Sequence, residues 1–221
     1  METTGPRTDG SPAGSAPLLP GEPLPVRLTN TLWADTGGVH DSLEDTAGLA
    51  AWLETIAPLL PGGAGDALAE PGDLTALLPG FRELRDALRV LAADVTDDTR
   101  PVAGSGGRVD PSATRAAAEA VDRACAHAPG WSHLAWPQDG PPTRVLRSAH
   151  EPAAAALSLI AEDAVRLFAG DDRTSLRACL APGCVLYFLR THPRREWCSA
   201  ACGNRARVAR HYQRHHAHPG T

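Results

Sequence analysis

Several residue types are scarce in this 221-residue sequence. It contains no lysine, so all 21 basic residues are arginine, and Phe, Tyr and Trp together make up only 5% of the chain. With so few aromatic side chains, Ala and Leu must fill most of the core, which favours helices over sheets. No stretch approaches the roughly 20 consecutive apolar residues of a membrane-spanning helix, so we expect no membrane partner.

The N-terminal segment lacks the apolar stretch behind a basic start that a secretory signal needs. Residues 1–22 are rich in Gly, Pro, Ser and Thr and are predicted to be a disordered leader. We therefore expect a cytoplasmic protein, in whose reducing surroundings the five cysteines favour metal binding over disulfides. Two disulfides in a secreted protein are the alternative.

Charge divides the chain into two unequal parts. Residues 1–170 carry 12 arginines and 23 acids, a net charge of −11, whereas residues 171–221 carry nine arginines and three acids, a net of +6; together they give −5. Combined with the chain length, this predicts an acidic domain at 23–170, a small basic module at 175–216 and a tail at 217–221.

Hydrophobic spacing predicts that the first domain is mainly helical with minor β-structure. Capping and proline signals predict helices over about residues 43–60, 110–128 and 152–170, and apolar residues at helical spacing predict another over about 75–93. Leu24, Val26 and Leu28 alternate with other residues and predict a short strand, and residues 131–142 are expected to be irregular or short edge strands. We find no phosphate-binding glycine loop, activated nucleophile or paired carboxylates in this domain, and Cys125 is expected to be a free, small apolar residue.

The strongest chemical signal is a set of four cysteines, Cys179-x4-Cys184 and Cys198-x3-Cys202, whose pairs are separated by thirteen residues. Two close pairs joined by a short spacer suit a tetrahedral metal ion. We predict one structural Zn²⁺, which leaves no position for a catalytic water, and hence a protein that is not an enzyme. An iron–sulfur cluster is chemically possible with four thiolates, although the spacing matches neither ferredoxin pattern.

Around the cysteines, the sequence predicts a small treble-clef or ribbon-like zinc finger made of a β-hairpin and a helix. Residues 185–190 have a strong strand pattern, and residues 191–195 are predicted to turn the chain back towards Cys198. A helix is predicted from about Ser199, with Cys202 in its first turn.

Helical phase predicts an inner side of this helix that faces the metal. Arg205 is expected on that side, beside Val208 and Tyr212, where it would stabilise the fold through a carboxylate or a backbone carbonyl. Asn204 is expected to hydrogen-bond a cysteine sulfur or to cap the helix locally. Both residues are thus predicted to support the metal site structurally.

An outward basic stripe is predicted on the opposite side of the helix. We predict that this stripe and the hairpin tip contact DNA phosphates, through Arg194, Arg195, Arg207, Arg210 and Arg214. A merely solvated basic face is the alternative. Histidines 211, 215 and 216 on the helix tail leave a metal-dependent nuclease as the remaining route to an enzyme.

Three motifs, Cys179-x4-Cys184, Trp197-Cys198-Ser199 and Cys202-Gly203-Asn204-Arg205, together resemble the CGNR-type zinc finger. This finger ends bacterial proteins that begin with an ABATE domain and are described as stress-induced transcription regulators. Residues 28–32 look like the opening Asn-Thr motif of that domain, and residues 49–53 look like its first helix. The turn at 190–193 departs from the family pattern. The resemblance therefore gives the least support to DNA contacts at the hairpin tip.

The resemblance implies a zinc-containing DNA-binding protein that regulates transcription, with DNA as its partner. The alternative is a zinc-stabilised protein-interaction module without nucleic-acid binding. Such a module would dock onto an acidic protein surface, which could belong to a second copy of the chain and give a homo-oligomer.

Overall fold

A computed structural model describes residues 19–101 and 107–216 of the protein. The helices in these ranges are α1 (Leu24–Thr29), α2 (Thr46–Ile56), α3 (Leu74–Thr96), α4 (Pro111–His127), α5 (Pro152–Ala169) and α6 (Ala200–His216). The strands are β1 (Leu32–Asp35), β2 (Gly38–Asp41), β3 (Gly130–Ala135), β4 (Thr143–Ser148), β5 (Leu176–Ala178) and β6 (Tyr187–Leu189). Short 3₁₀ turns lie between residues 57 and 69 and at Asp171–Ser175.

Side-chain caps fix the starts of the long helices. Asp45 accepts a hydrogen bond from the amide of Gly48 at 2.7 Å at the start of α2, and Asp73 and Asp110 cap α3 and α4 in the same way. These carboxylates satisfy amides that have no partner inside the helix. Helix α5 begins instead with Pro152, which needs no amide partner. The mainly helical fold with minor β-structure is thereby confirmed.

The core of the first domain lies between α2, α3 and α5. Leu53, Leu88 and Ile160 are buried there, one from each helix. Phe81 of α3 packs edge-on against Trp52 of α2, with ring centroids 6.0 Å apart. Burying each such side chain contributes about 1.5–3 kcal/mol, so this cluster supplies much of the stabilisation of the domain.

The strand predicted at Leu24–Leu28 is wrong, because these residues form α1. Pro25 lies in the first turn of this helix, where its fixed backbone angle suits helical geometry. The helix packs against both α3 and α5. Leu24, Val26 and Leu28 are all buried between these neighbours. The apolar residues of α1 therefore do not follow the helical spacing of three and four, and their alternation in the sequence resembles that of a strand.

The six strands form three separate antiparallel hairpins, β1–β2, β3–β4 and β5–β6. The β3–β4 hairpin occupies the region that was expected to be irregular or to carry edge strands. The hairpin predicted from the strand pattern at 185–190 and the turn at 191–195 needs correction: β6 pairs with β5, which precedes it, and Leu176 lies opposite Leu189. The first cysteine pair therefore lies at the tip of the β5–β6 hairpin.

Most of the predicted leader, residues 1–18, and the predicted tail, residues 217–221, lie outside the described residues. The last leader residues are described, and among them Leu19 and Glu22 are buried. Among the described helices, none combines the length and the hydropathy that crossing a bilayer requires.

Candidate metal centre and nucleic-acid interface

The four predicted ligands converge at one buried point. The sulfurs of Cys179, Cys184, Cys198 and Cys202 all lie within 4.8 Å of one another. The Cys184 and Cys198 sulfurs are 3.8 Å apart, and those of Cys198 and Cys202 are 3.4 Å apart. Four sulfurs at about 2.3 Å from a tetrahedral zinc ion would be about 3.8 Å apart. The cluster therefore fits one metal ion with four thiolate ligands.

Two backbone hydrogen bonds shape the turn that carries the first cysteine pair. The amide of Cys184 donates to the carbonyl of Ala181, and the amide of Cys179 donates to that of Leu186, both at 2.9 Å. Gly183 has a φ of 71°, a left-handed conformation that only glycine adopts readily. This tight turn lets both sulfurs of the pair reach the same metal ion.

The thiols influence one another strongly. Contact with the Cys184 thiol lowers the pKa of Cys179 to about 7, and contact with Cys179 raises the pKa of Cys184 and of Cys198. Contact with Cys179, and with the other two thiols, holds the pKa of Cys202 below its ordinary value. Four thiolates in one buried pocket need a cation, and the thiolate is the form that binds zinc.

Apolar side chains surround the sulfurs. Trp33 and Leu19 from the first domain pack with Leu186 and Phe188 of the finger around the cysteines. Trp197 lies against α6 at Gly203, where an added Cβ would come within 3.2 Å of its ring. A larger residue at Gly203 would require the Trp197 ring to shift, and Trp197 also packs against the cluster that surrounds the sulfurs.

Arg205 contacts the centre directly. Its Nη2 lies 3.0 Å from the sulfur of Cys202, and this contact raises the pKa of Arg205. The partner is thus a ligand sulfur rather than the carboxylate or carbonyl that the sequence suggested. Asn204 does not contact a sulfur; it is exposed, and its side-chain oxygen accepts a hydrogen bond from Arg207.

The predicted inner side of α6 is wrong by about a quarter turn at 100° per residue. Val208 and Tyr212 are 54% and 60% exposed, whereas Cys202 and Ala206 form the buried side. Packing of Trp197 on Gly203 rotates the helix towards this side. The basic stripe therefore borders the buried side instead of lying opposite to it.

The stripe of Arg207, Arg210 and Arg214 is nevertheless exposed. With Gln213 these arginines line an open groove on α6. Among the described residues, Arg210 and Arg214 donate to backbone carbonyls of their own helix, at 3.4 and 3.3 Å. No carboxylate in the described part of the chain forms an ion pair with the three arginines. Arg194 is exposed as well.

Arg195 points inwards, which corrects its prediction as a phosphate contact. Its guanidinium donates to Glu22 at 2.7 Å and to the carbonyls of Leu189 and Cys198 at 2.9 and 3.2 Å. It also lies over the ring of Phe188, 5.0 Å from the centroid. Arg195 therefore joins the finger to the first domain and is occupied by these contacts.

Sequence reasoning missed a set of buried polar residues that attach the finger to the first domain. The side chain of Asn30 exchanges two hydrogen bonds of 2.9 Å with the backbone of Tyr187. Glu22 accepts from the amide of Leu189 at 2.8 Å. Arg89, 3% exposed, donates to the carbonyls of Thr29 and Val185. The finger is thus part of the body of the protein rather than an appended module.

Arg100 connects the first domain to the metal ligands themselves. Its Nη1 donates to the carbonyls of Cys179 and Cys184, and its remaining nitrogens bind the carboxylate of Asp98 at 2.6 and 2.8 Å. The hydroxyl of Tyr187 donates to the same carboxylate at 2.8 Å. The sequence did not indicate these contacts, because Tyr187 lies 89 residues from Asp98, and the two cysteine carbonyls lie 79 and 84 residues from Arg100.

His211 is exposed on α6, while the side chains of histidines 215 and 216 lie outside the described residues. The cluster that could hold a metal in the described part of the chain consists of the four cysteines alone.

Comparisons with known families agree with this architecture. A family model for ABATE, described as "Putative stress-induced transcription regulator", matches residues 22–171. A model of the CGNR zinc finger matches residues 175–215, which include all four cysteines. No curated protein matches the chain. Because the first match spans more than half of the sequence, the chain belongs to the ABATE family and carries a CGNR zinc finger after its ABATE domain.

Proposed function

We propose that this protein binds DNA through the exposed arginine stripe of α6 and regulates transcription in the cytoplasm. The observation that carries the proposal is the exposure of Arg207, Arg210 and Arg214 on one helix without any described carboxylate partner. Guanidinium groups arranged in this way suit phosphate oxygens, and their charge favours a polyanion.

The attachment of the finger supports the same proposal. Hydrogen bonds from Asn30 and Arg100 fix the β5–β6 hairpin on the first domain, and the shared metal ligands fix α6 on that hairpin. A helix held in one orientation loses little conformational freedom when it binds, which favours affinity. The finger would therefore meet the duplex as a rigid surface.

Salt dependence of binding to a fluorescent duplex of random sequence tests the proposal. Each phosphate contact contributes about −0.9 to the slope of log K against log salt concentration. We expect Arg207→Ala, Arg210→Ala and Arg214→Ala each to reduce the magnitude of this slope by about one unit. The effect should be similar across DNA sequences, and the thermal melting temperature should stay that of the parent.

Arg123→Ala is the matched control, because it removes the same charge from α4. Arg123 is 61% exposed and pairs with Glu83 in the first domain. The proposal fails if this control lowers the slope as much as the α6 variants do, or if the parent protein shows no salt-dependent binding.

A second candidate function is docking onto another protein. Leu180 at the tip of the cysteine turn is 67% exposed, and Val208 and Tyr212 are exposed on α6. Exposed apolar side chains beside arginines are common in protein interfaces. A stable, salt-tolerant oligomer that does not bind DNA would favour this function.

We propose no catalytic activity. Four thiolates close the coordination sphere of a structural zinc, so no water can be activated there. Incubation of the protein with plasmid DNA and Mg²⁺ tests this; cleavage that is lost in His211→Ala would contradict it.

A further inference from the structure

A cavity of about 200 Å³ lies in the first domain, separate from the metal centre and from the arginine stripe. It opens between the base of the β3–β4 hairpin, the 3₁₀ turns of residues 57–69 and the first half of α5. None of the features used for the proposed DNA contact lies here.

The cavity has a rigid floor formed by one face of α5. Pro152, Ala155, Leu159 and Glu162 line it at intervals of three and four residues, as one side of a helix does. The opposite face of α5 packs in the core through residues such as Ile160. Ser158 fixes the end of α4 to this floor, because its hydroxyl donates to Ala124 and accepts from the amide of Ala128.

Small apolar residues leave the space unfilled. Ala64, Ala67 and Leu146 form the walls, and Ala155 and Leu159 are the apolar residues of the α5 floor. A larger side chain at any of the three alanines would occupy room that is now empty. The interior therefore suits a small apolar group rather than a chain of ordered waters, which would need several polar partners each.

The rim of the cavity is polar and carries one arginine, Arg147, and one carboxylate, Glu162. Arg147 and His150 are among the residues that line it, and the side chain of neither makes a hydrogen bond or ion pair with any residue that the structure describes. Glu162 is the one lining carboxylate, and it lies 3.7 Å from Arg166 of its own helix. An anionic group would thus find an unoccupied guanidinium beside an apolar interior.

We propose that this cavity binds a small amphipathic carboxylate, with the apolar part between α5 and the alanine wall and the carboxylate on Arg147. The volume is below the roughly 300–1,000 Å³ typical of pockets for larger ligands. The ligand is therefore limited to about the size of one aromatic ring with a short acidic arm. Planar guanidinium and carboxylate groups pair through two parallel hydrogen bonds, which fixes the orientation.

Phenylacetate is a suitable probe, and phenylacetamide is its neutral counterpart of the same shape. We expect titration of the zinc-loaded full chain with phenylacetate to give saturable backbone NMR shifts around residues 146–162, with a dissociation constant of about 1 mM or tighter. Phenylacetamide should bind at least about tenfold more weakly, because it cannot form the charge-assisted pair.

Two variants and one control separate this site from general attraction of anions. Arg147→Gln should weaken phenylacetate binding at least about tenfold, and Ala155→Leu should abolish it by filling the cavity. Arg144→Gln removes the same charge from the same strand, at a residue that does not line the cavity and contacts Ser132, and should bind like the parent.

No saturable binding at about 10 mM phenylacetate, or equal binding by the parent and Arg147→Gln, overturns the proposal. If Ala155→Leu loses its fold by circular dichroism, Ala67→Leu takes its place with the same expectation. The outcome does not depend on DNA, so it can fail or succeed independently of the function proposed above.

Discussion

Replacing Arg100 by alanine tests the strongest contact between the first domain and the metal centre. The substitution removes every donor that this guanidinium supplies to Asp98 and to the carbonyls of Cys179 and Cys184. The Asp98 side chain is only 2% exposed. Without Arg100, the hydroxyl of Tyr187 would be the remaining side-chain partner of this buried carboxylate. Removing one member of a buried ion pair costs about 3–5 kcal/mol. We therefore expect Arg100→Ala to lose that much of the free energy of unfolding.

Urea unfolding of the zinc-loaded protein measures this loss. Arg123→Ala is the comparison, because it breaks an exposed ion pair instead of a buried one. The Arg123–Glu83 pair is 61% and 57% exposed, and such a pair contributes only about 0–1 kcal/mol. A second readout is the rate at which a coloured chelator removes zinc, which should rise in Arg100→Ala because the turn between Cys179 and Cys184 loses its support. A loss no larger than that of Arg123→Ala, with unchanged zinc release, would refute the reasoning.

The acid limb of the stability curve provides a further check on Arg100. Burial raises the pKa of Asp98, but hydrogen bonds from Arg100 and Tyr187 outweigh it and hold this pKa below its ordinary value. The stabilisation from Asp98 is therefore present above the unfolded-state pKa of about 3.9 and is lost as the pH falls through the folded-state value. In Arg100→Ala the folded-state pKa of Asp98 should rise towards or above the unfolded-state value, so this loss of stability at acid pH should shrink or disappear.

Three other changes have defined outcomes. Cys198→Ser combined with Cys202→Ser should leave the protein without zinc by metal analysis and unfold the finger, because zinc binding supplies about 10–16 kcal/mol to so small a module. Asn30→Ala should cost about 1–3 kcal/mol in urea unfolding, since it leaves the buried backbone of Tyr187 unpaired. Burial raises the pKa of Glu22 despite its contacts with Leu189 and Arg195, so the free energy of unfolding of the parent should fall as the pH rises from about 4.5 through the folded-state pKa. Glu22→Gln should remove this pH dependence. An unchanged pH dependence would show that another group titrates.

Local signals predicted the parts of the fold that depend on local chemistry. Asp110 marks a helix start because a capping carboxylate and its amides are neighbours in sequence. The cysteine spacing predicted the metal cluster for the same reason. Helix α1 was missed because the surrounding helices, and not its own pattern, decide which of its residues are buried.

The phase of α6 and the role of Arg195 could not be predicted from the sequence. The phase depends on how Trp197 packs on Gly203, a contact that helical periodicity alone does not show, and the role of Arg195 depends on Glu22, 173 residues away. Glu22, the carbonyls of Leu189 and Cys198 and the ring of Phe188 together hold Arg195 inwards.

The contacts between the two ends of the chain also determine when the protein can finish folding. Asn30 and Glu22 find their partners 157 and 167 residues later, in the last quarter of the sequence. During synthesis, at about 5–20 residues per second, α1 must therefore wait for roughly 8–35 seconds with these polar groups unpaired. Until the finger emerges and takes up zinc, the nascent domain exposes the surface that later holds Tyr187. Metal supply in the cell would thus decide whether newly made chains complete their fold or become substrates for chaperones and proteases.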